Sequence, residues 1–99
     1  MKTREEIKQD LIDLQFNVNS RGIEYWITAI ELYQNEIHKY SFSMIDMYKV
    51  IAKKYDTTYS RVERAMRHAR ENAEETIHLV YNYYNKLDTR TVIRLIGGI

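Results

Sequence analysis

The sequence predicts an all-α single domain of about five to six helices that contains a helix-turn-helix. The chain has 99 residues, no proline and only three glycines, so its composition offers few helix breakers. Apolar residues make up 44% of the chain, which suffices for one core at this length. Apolar side chains also recur at helical spacing along most of the sequence.

The first helix is predicted to begin at a capping box. Thr3 and Glu6 have the spacing in which each side chain bonds the other residue's backbone N–H. The apolar residues that follow at helical spacing are Ile7, Leu11, Leu14 and Val18. Residues 19–22 then break the pattern and supply the start of the next helix.

The second helix carries the broadest apolar stripe in the chain, with Trp26 as the predicted packing anchor. The stripe consists of Ile23, Trp26, Ile27, Ile30, Tyr33 and Ile37. Residues 41–43 form the next break, where Ser43 and Asp46 have the spacing of a second capping box. A helical pattern then continues to Tyr55, either as one helix or as two short pieces.

Residues 48–72 are predicted to form the helix-turn-helix. Ile51 and Tyr55 are expected to point inward, and Ala52 is small where the two helices approach closely. Residues 56–58 form the turn, in which Thr57 or Thr58 caps the second helix. The inner stripe of that second helix consists of Val62, Ala65, Met66 and Ala69.

The last third of the chain contains a tyrosine cluster and a closing helix. Tyr81 and Tyr84 are expected to extend an inward stripe begun by Ile77 and Val80. Tyr83 would then face solvent, where tyrosine suits a protein interface, and self-association through it is a hypothesis. The closing helix is capped by Asp88 or Thr89 and ends at Gly97-Gly98.

Positive charge is concentrated on the helix-turn-helix, although the chain as a whole carries only +1. Residues 1–47 have a net charge of −3, residues 48–70 of +5, and residues 71–99 of −1. Because salt screens charges beyond about 8–10 Å, the local balance matters more than the total. A polyanion partner is therefore predicted for this segment, with an ordinary solvated helix face as the alternative.

The outer face of the second helix offers groups that suit DNA. Arginine can donate two bonds to guanine O6 and N7, and glutamate can accept a bond from cytosine N4. Lys53 or Lys54, Thr57, Thr58 and Ser60 are placed to contact phosphates. The alternative is that arginine and glutamate here form ordinary surface ion pairs. The residues left on the outer faces are Ser60, Arg61, Glu63, Arg64, Arg67 and His68.

Other classes of function have little support in the sequence. The three histidines show no metal-ligand spacing, and neither a phosphate-binding glycine loop nor a nucleophile motif is present. We therefore expect no catalytic residues, metal or cofactor. The absence of cysteine, of an apolar leader and of a long apolar run predicts a cytoplasmic protein without a membrane partner.

Two stretches of the chain resemble a known family. The first runs Ile51-Ala52-Lys53-Lys54-Tyr55, Thr57-Thr58, Ser60-Arg61-Val62-Glu63-Arg64-Ala65 and Arg67-His68-Ala69, and the second is Gly22-Ile23-Glu24-Tyr25-Trp26-Ile27-Thr28-Ala29-Ile30. They resemble the DNA-binding effector domain of the master sporulation response regulator of endospore-forming bacteria. That family carries Phe at Tyr55, Asn at Asp56 and Ile at Met66. The specific match covers about a third of the chain.

The resemblance implies a six-helix domain that binds double-stranded DNA through the second helix of its helix-turn-helix. The base-reading residues of the family correspond to Ser60, Arg61, Glu63 and Arg64. Arg67 and His68 are implied as further contacts, which we assign to the DNA backbone. Paired domains on repeated DNA sites are a further implication, so a homodimer on DNA is an open possibility.

Three departures from the family keep a second class of function open. The chain begins at Met1, so we expect no receiver domain and no phosphorylation switch of that kind. The acidic residues 71–78 replace a longer loop, and the tyrosine-rich residues 81–85 have no counterpart. The alternative to a transcription regulator is therefore a protein-binding helix-turn-helix module. A small phage or mobile-element inhibitor of host machinery or of a defence nuclease would be an example.

Overall fold

The computed structural model describes residues 1–36 and 43–98, and it confirms the all-α prediction. Ile37 and residues 41–42 of the predicted break lie outside this part. The helices within it are α1 (Arg4–Asp13), α2 (Gly22–Glu36), α3 (Met44–Lys54), α4 (Tyr59–Glu71), α5 (Glu74–Tyr81) and α6 (Thr89–Gly97). None of these helices has the length and apolar character needed to cross a membrane.

Helix α2 lies at the centre of the fold, in contact with α1, α3, α4 and α6. Trp26 is fully buried on it, and the Trp26 indole N–H donates a hydrogen bond of 2.8 Å to the Met66 carbonyl of α4. Phe16 packs edge-on against the Trp26 ring, with 5.1 Å between centroids. The prediction that Trp26 is a packing anchor is therefore confirmed, and its hydrogen bond ties α2 directly to α4.

Side-chain caps begin four of the helices, as the sequence predicts. Both bonds of the capping box between Thr3 and Glu6 are present. Ser43 caps α3, Thr58 caps α4 and Asp88 caps α6, each by accepting a backbone N–H. Of the predicted capping box between Ser43 and Asp46, only this Ser43 bond is found among the described residues. The region after Ser43 is one continuous helix, so the alternative of two short pieces is wrong.

The first apolar stripe ends earlier than predicted. Ile7, Leu11 and Leu14 are buried, but Val18 is 37% exposed. Helix α1 ends at Asp13, and Gln15 adopts the left-handed conformation with φ 75°. This bend lets the Phe16 N–H bond the Leu11 carbonyl at 3.0 Å and takes Val18 off the helical register.

The tyrosine cluster differs from the prediction. Val80 and Tyr84 are 62% and 67% exposed, whereas Tyr83 is half-buried and packs against the core. For Tyr83 and Tyr84 the reason is that α5 ends at Tyr81 and Asn82 turns left-handed, with φ 51°. The chain then folds back, and the Tyr83 N–H donates to the His78 carbonyl at 3.2 Å. Half-buried Tyr81 packs against the core beside Ile77, as predicted.

Replacing the Asp88 cap is expected to weaken α6. The Asp88 carboxylate accepts the Thr91 N–H at 2.8 Å, and this bond lowers the pKa of Asp88 below its ordinary value of 3.8. We expect Asp88→Ala to reduce the free energy of unfolding by about 0.5–2 kcal/mol at neutral pH. Because the folded-state pKa is lowered, the ionised carboxylate stabilises the fold above its ordinary pKa, and this contribution is lost as pH falls through the lowered value.

Urea unfolding at neutral pH and in acid measures both parts of this prediction. Asp88→Asn is the matched control, because asparagine caps about as well as aspartate but carries no titrating carboxylate. It is expected to stay close to the native stability at neutral pH and to lose less stability in acid. Equal acid sensitivity of the native chain and Asp88→Asn would contradict the role of the carboxylate.

Candidate nucleic-acid interface

The connection between α3 and α4 is a tight turn built on a left-handed residue. Asp56 has φ 53°, a conformation that a short polar side chain tolerates better than most. The following Thr57 N–H donates to the Ala52 carbonyl at 2.9 Å, the bond expected at a Schellman-type helix end. Thr58 then caps α4, so its hydroxyl rather than that of Thr57 supplies the predicted cap.

The helix-turn-helix is fixed to α2 through Tyr55 and the inner stripe of α4. The hydroxyl groups of Tyr55 and Thr28 lie 2.8 Å apart in a hydrogen bond, and the Tyr55 ring packs edge-on against Tyr25. Val62 and Met66 are fully buried. The orientation of α4 is therefore set by the core.

The start of α2 approaches α4 more closely than any side chain would allow. A Cβ atom at Gly22 would lie 2.4 Å from the Ala65 carbonyl oxygen and 2.9 Å from the Ala69 Cβ. Just before it, the Asn17 N–H donates to the Ala69 carbonyl at 3.2 Å. Two separate contacts thus hold the loop before α2 against α4.

The four predicted base-reading residues lie within the first two turns of α4. Ser60, Arg61 and Arg64 are exposed, and Glu63 is half-buried. Neither Arg61 nor Arg64 forms an ion pair with a carboxylate among the described side chains. The N-terminal half of α4 therefore presents to solvent two guanidinium groups that are unpaired within the described part of the chain.

Part of the outer face does form the ion pairs that the alternative interpretation expected. The Arg67 guanidinium lies 2.7 Å from the Glu63 carboxylate, one helical turn away. The His68 ring lies 3.5 Å from the Glu71 carboxylate, a contact that is an ion pair only when the imidazole is protonated. Exposed pairs of this kind contribute only about 0.3–0.5 kcal/mol, so they are easily exchanged for contacts with a ligand.

The predicted phosphate-contacting residues surround the turn and the start of α4. Lys53, Lys54 and Thr58 are exposed, and Thr57 is half-buried. Lys54 Nζ lies 5.6 Å from the centroid of the Tyr55 ring. The Thr58 oxygen accepts the Arg61 N–H at 3.3 Å, which leaves its hydroxyl proton available to donate.

Arg70 does not contribute to the exposed positive face that the charge of residues 48–70 predicts. It was counted with the positive face, but it is only 9% exposed and donates to Glu74 at 2.7 Å and to the Leu87 carbonyl at 3.2 Å. The acidic start of α5 therefore neutralises this arginine. Arg70 connects the end of α4 to the segment before α6, and the exposed positive face ends before it.

The structure also brings together residues that the sequence analysis did not connect. An open groove of about 310 Å³ is lined by Arg21, Tyr25, Thr57, Arg61 and Ala65. Arg21 precedes α2 and lies 40 residues from Arg61 in the sequence, so no local pattern could reveal their proximity. Tyr59, 48% exposed at the first position of α4, is another exposed side chain that the sequence pattern did not identify as a contact.

The described residues form a helix-turn-helix packed on a hydrophobic core, and its second helix carries exposed cationic side chains with no described carboxylate partner. This arrangement is typical of helix-turn-helix DNA-binding domains. The chain matches the family described as Sporulation initiation factor Spo0A C terminal over residues 7–92. It belongs to this family, whose members are DNA-binding transcription-factor domains and not enzymes. The resemblance identified from the sequence is thereby confirmed.

Proposed function

We propose that the protein is a sequence-specific regulator of transcription that binds double-stranded DNA with α4 in the major groove. The observation that carries this proposal is the exposure of the Arg61 and Arg64 guanidinium groups on the N-terminal half of α4, where no described carboxylate pairs with them. In helix-turn-helix proteins, that half of the second helix contacts base edges. We place its activity in the bacterial cytoplasm, where the chromosome lies.

Four residues of α4 are proposed to read bases. Arg61 and Arg64 suit bidentate bonds to guanine O6 and N7, and Ser60 can donate to or accept from a base edge. Glu63 is proposed to accept from cytosine N4. Its bond to Arg67 would then be shared or exchanged on binding, because the pair is exposed and weak.

The remaining contacts are proposed to position α4 without reading sequence. A phosphate near the start of α4 would receive bonds from backbone N–H groups as well as from side chains, because a helix N-terminus favours anions. Arg67, released from Glu63, would turn to a phosphate further along. The residues proposed to contact the backbone are Lys53, Lys54, Thr57, Thr58, Arg67 and His68.

Selection of duplexes from a random library, followed by a salt series on the selected site, tests the proposal. The logarithm of the binding constant is expected to fall linearly with the logarithm of salt concentration, by about 0.9 per neutralised phosphate. A scrambled duplex should show the same kind of dependence at much lower affinity. Equal affinity for both duplexes, or no binding, would contradict sequence-specific recognition.

The second candidate function, binding to a protein, is favoured by the apolar surface of α5. Leu79 and Val80 are 65% and 62% exposed, and exposed Tyr84 stacks on His78 with 5.8 Å between ring centroids. Exposed aromatic and aliphatic side chains in one region are typical of protein contacts. A homodimer on DNA would be one use of this surface.

The variant Leu79→Glu tests whether the exposed surface of α5 mediates pairing on DNA. If α5 mediates pairing on DNA, the variant is expected to bind a single half-site normally and to lose cooperative binding to two adjacent sites, as measured by gel shift. Tyr83→Ala is not a suitable probe, because Tyr83 packs against the core. Unchanged cooperativity in Leu79→Glu would exclude α5 as the pairing surface.

A further inference from the structure

We propose that Arg21, outside the helix-turn-helix, binds one DNA backbone phosphate in the groove that it lines with Thr57 and Arg61. This inference rests on the proposed function and adds a contact to it. The groove has a volume of about 310 Å³ and is open to solvent on the side of α4 that carries Arg61. The Arg21 guanidinium and the Thr57 hydroxyl suit an anion, and none of the five lining residues is acidic.

Among the described residues, no hydrogen bond or ion pair of the Arg21 side chain accounts for its position. It is exposed, and it forms no ion pair with a carboxylate among the described side chains. Its backbone is more constrained, because the Arg21 carbonyl accepts the N–H groups of Glu24 and Tyr25 at the start of α2. An exposed cationic side chain on a constrained backbone is well placed to contact a ligand.

The loop that carries Arg21 has a fixed position relative to α4. Asn17 donates to the Ala69 carbonyl, and Gly22 has no room for a side chain against Ala65. When α4 enters the major groove, this loop must therefore move with it as one unit. A cation held in this way gains affinity because little conformational freedom is lost on binding.

The chemistry of the lining residues distinguishes a phosphate contact from a base contact. Thr57 belongs to the turn, and its hydroxyl can donate to a phosphate oxygen but does not extend along α4 toward bases. Arg21 lies before α2, beside rather than on the helix proposed to read bases. We therefore expect Arg21 to add affinity for every duplex equally and to add no preference for a sequence.

The test measures the salt dependence of binding to the selected duplex for native protein and Arg21→Ala by fluorescence anisotropy. Losing one phosphate contact should reduce the steepness of the log–log salt dependence by about 0.9. At physiological ionic strength the affinity should fall about fivefold, on specific and scrambled duplexes alike. Arg21→Lys should recover most of the loss, and Lys8→Ala, an exposed cation on α1, should change neither quantity.

A neutral methylphosphonate at single positions of the DNA then locates the contact. At one phosphate flanking the site, the neutral linkage should weaken binding by the native protein and have no further effect on Arg21→Ala. If Arg21→Ala keeps the native salt dependence while the native protein still prefers its selected site, the Arg21 contact is wrong and the proposed function stands. If the native protein shows neither salt dependence nor site preference, both are wrong.

Discussion

Trp26→Ala is expected to lower the free energy of unfolding by about 3–5 kcal/mol, the cost of removing a large buried aromatic side chain. Trp26 is fully buried, contacts Phe16 edge-on and donates a hydrogen bond to the Met66 carbonyl of α4. Domains of this size are stable by only about 5–15 kcal/mol, so the variant is expected to lose a large share of its stability. Urea unfolding followed by circular dichroism measures this change.

We expect Trp26→Ala also to weaken DNA binding, because Trp26 links α2 to α4. Trp26→Phe is the matched control, because it keeps an aromatic ring in the core but lacks the N–H that bonds the Met66 carbonyl. Its loss in free energy of unfolding should therefore be smaller than that of Trp26→Ala. Tyr84→Ala, on an exposed ring outside the core, should change stability little. A loss below about 1 kcal/mol for Trp26→Ala would contradict its place at the centre of the packing.

The double variant Arg61→Ala/Arg64→Ala is expected to show the largest change in DNA affinity. Each bidentate contact with a guanine discriminates by about 1–3 kcal/mol, so the double variant should lose about 2–6 kcal/mol on the selected duplex. Its affinity for a scrambled duplex should fall much less, because there only charge is lost. Titration of both duplexes by fluorescence anisotropy measures the two effects.

Stability provides the control for this second prediction. Both arginines are exposed and lie outside the core, so the thermal midpoint of the double variant should stay close to that of the native protein. Lys86→Ala, an exposed cation after α5, should bind both duplexes as the native protein does. A folded double variant that still prefers the selected duplex by the native margin would exclude α4 as the reading helix.

The sequence predicted the features that depend on neighbouring residues. The caps at Thr3 and Thr58 require only a hydroxyl and the backbone N–H three residues later. The buried stripe through Trp26 follows from helical periodicity alone. The outer face of α4 also follows from spacing, which is why the exposed positions of Arg61 and Arg64 could be predicted before the fold was known.

The features that the sequence did not predict depend on distant contacts or on one backbone conformation. The burial of Arg70 requires the Leu87 carbonyl, 17 residues away. The exposure of Tyr84 follows from the left-handed turn at Asn82, which ends the helical register of α5. Arg21 meets Arg61 only because the start of α2 packs against α4, a tertiary contact that no periodicity encodes.

A double-mutant cycle between Arg61 and individual guanines of the selected site is the most direct measurement of base reading by α4. Each guanine is replaced in turn by deazaguanine, which lacks the N7 acceptor but keeps its base pair. At one position the replacement should weaken binding by the native protein and leave Arg61→Ala unaffected, with a coupling energy of about 1–3 kcal/mol. If the replacement weakens both proteins equally at every guanine, and the same holds for Arg64→Ala, then neither arginine contacts a guanine N7 and the proposed role of α4 is contradicted.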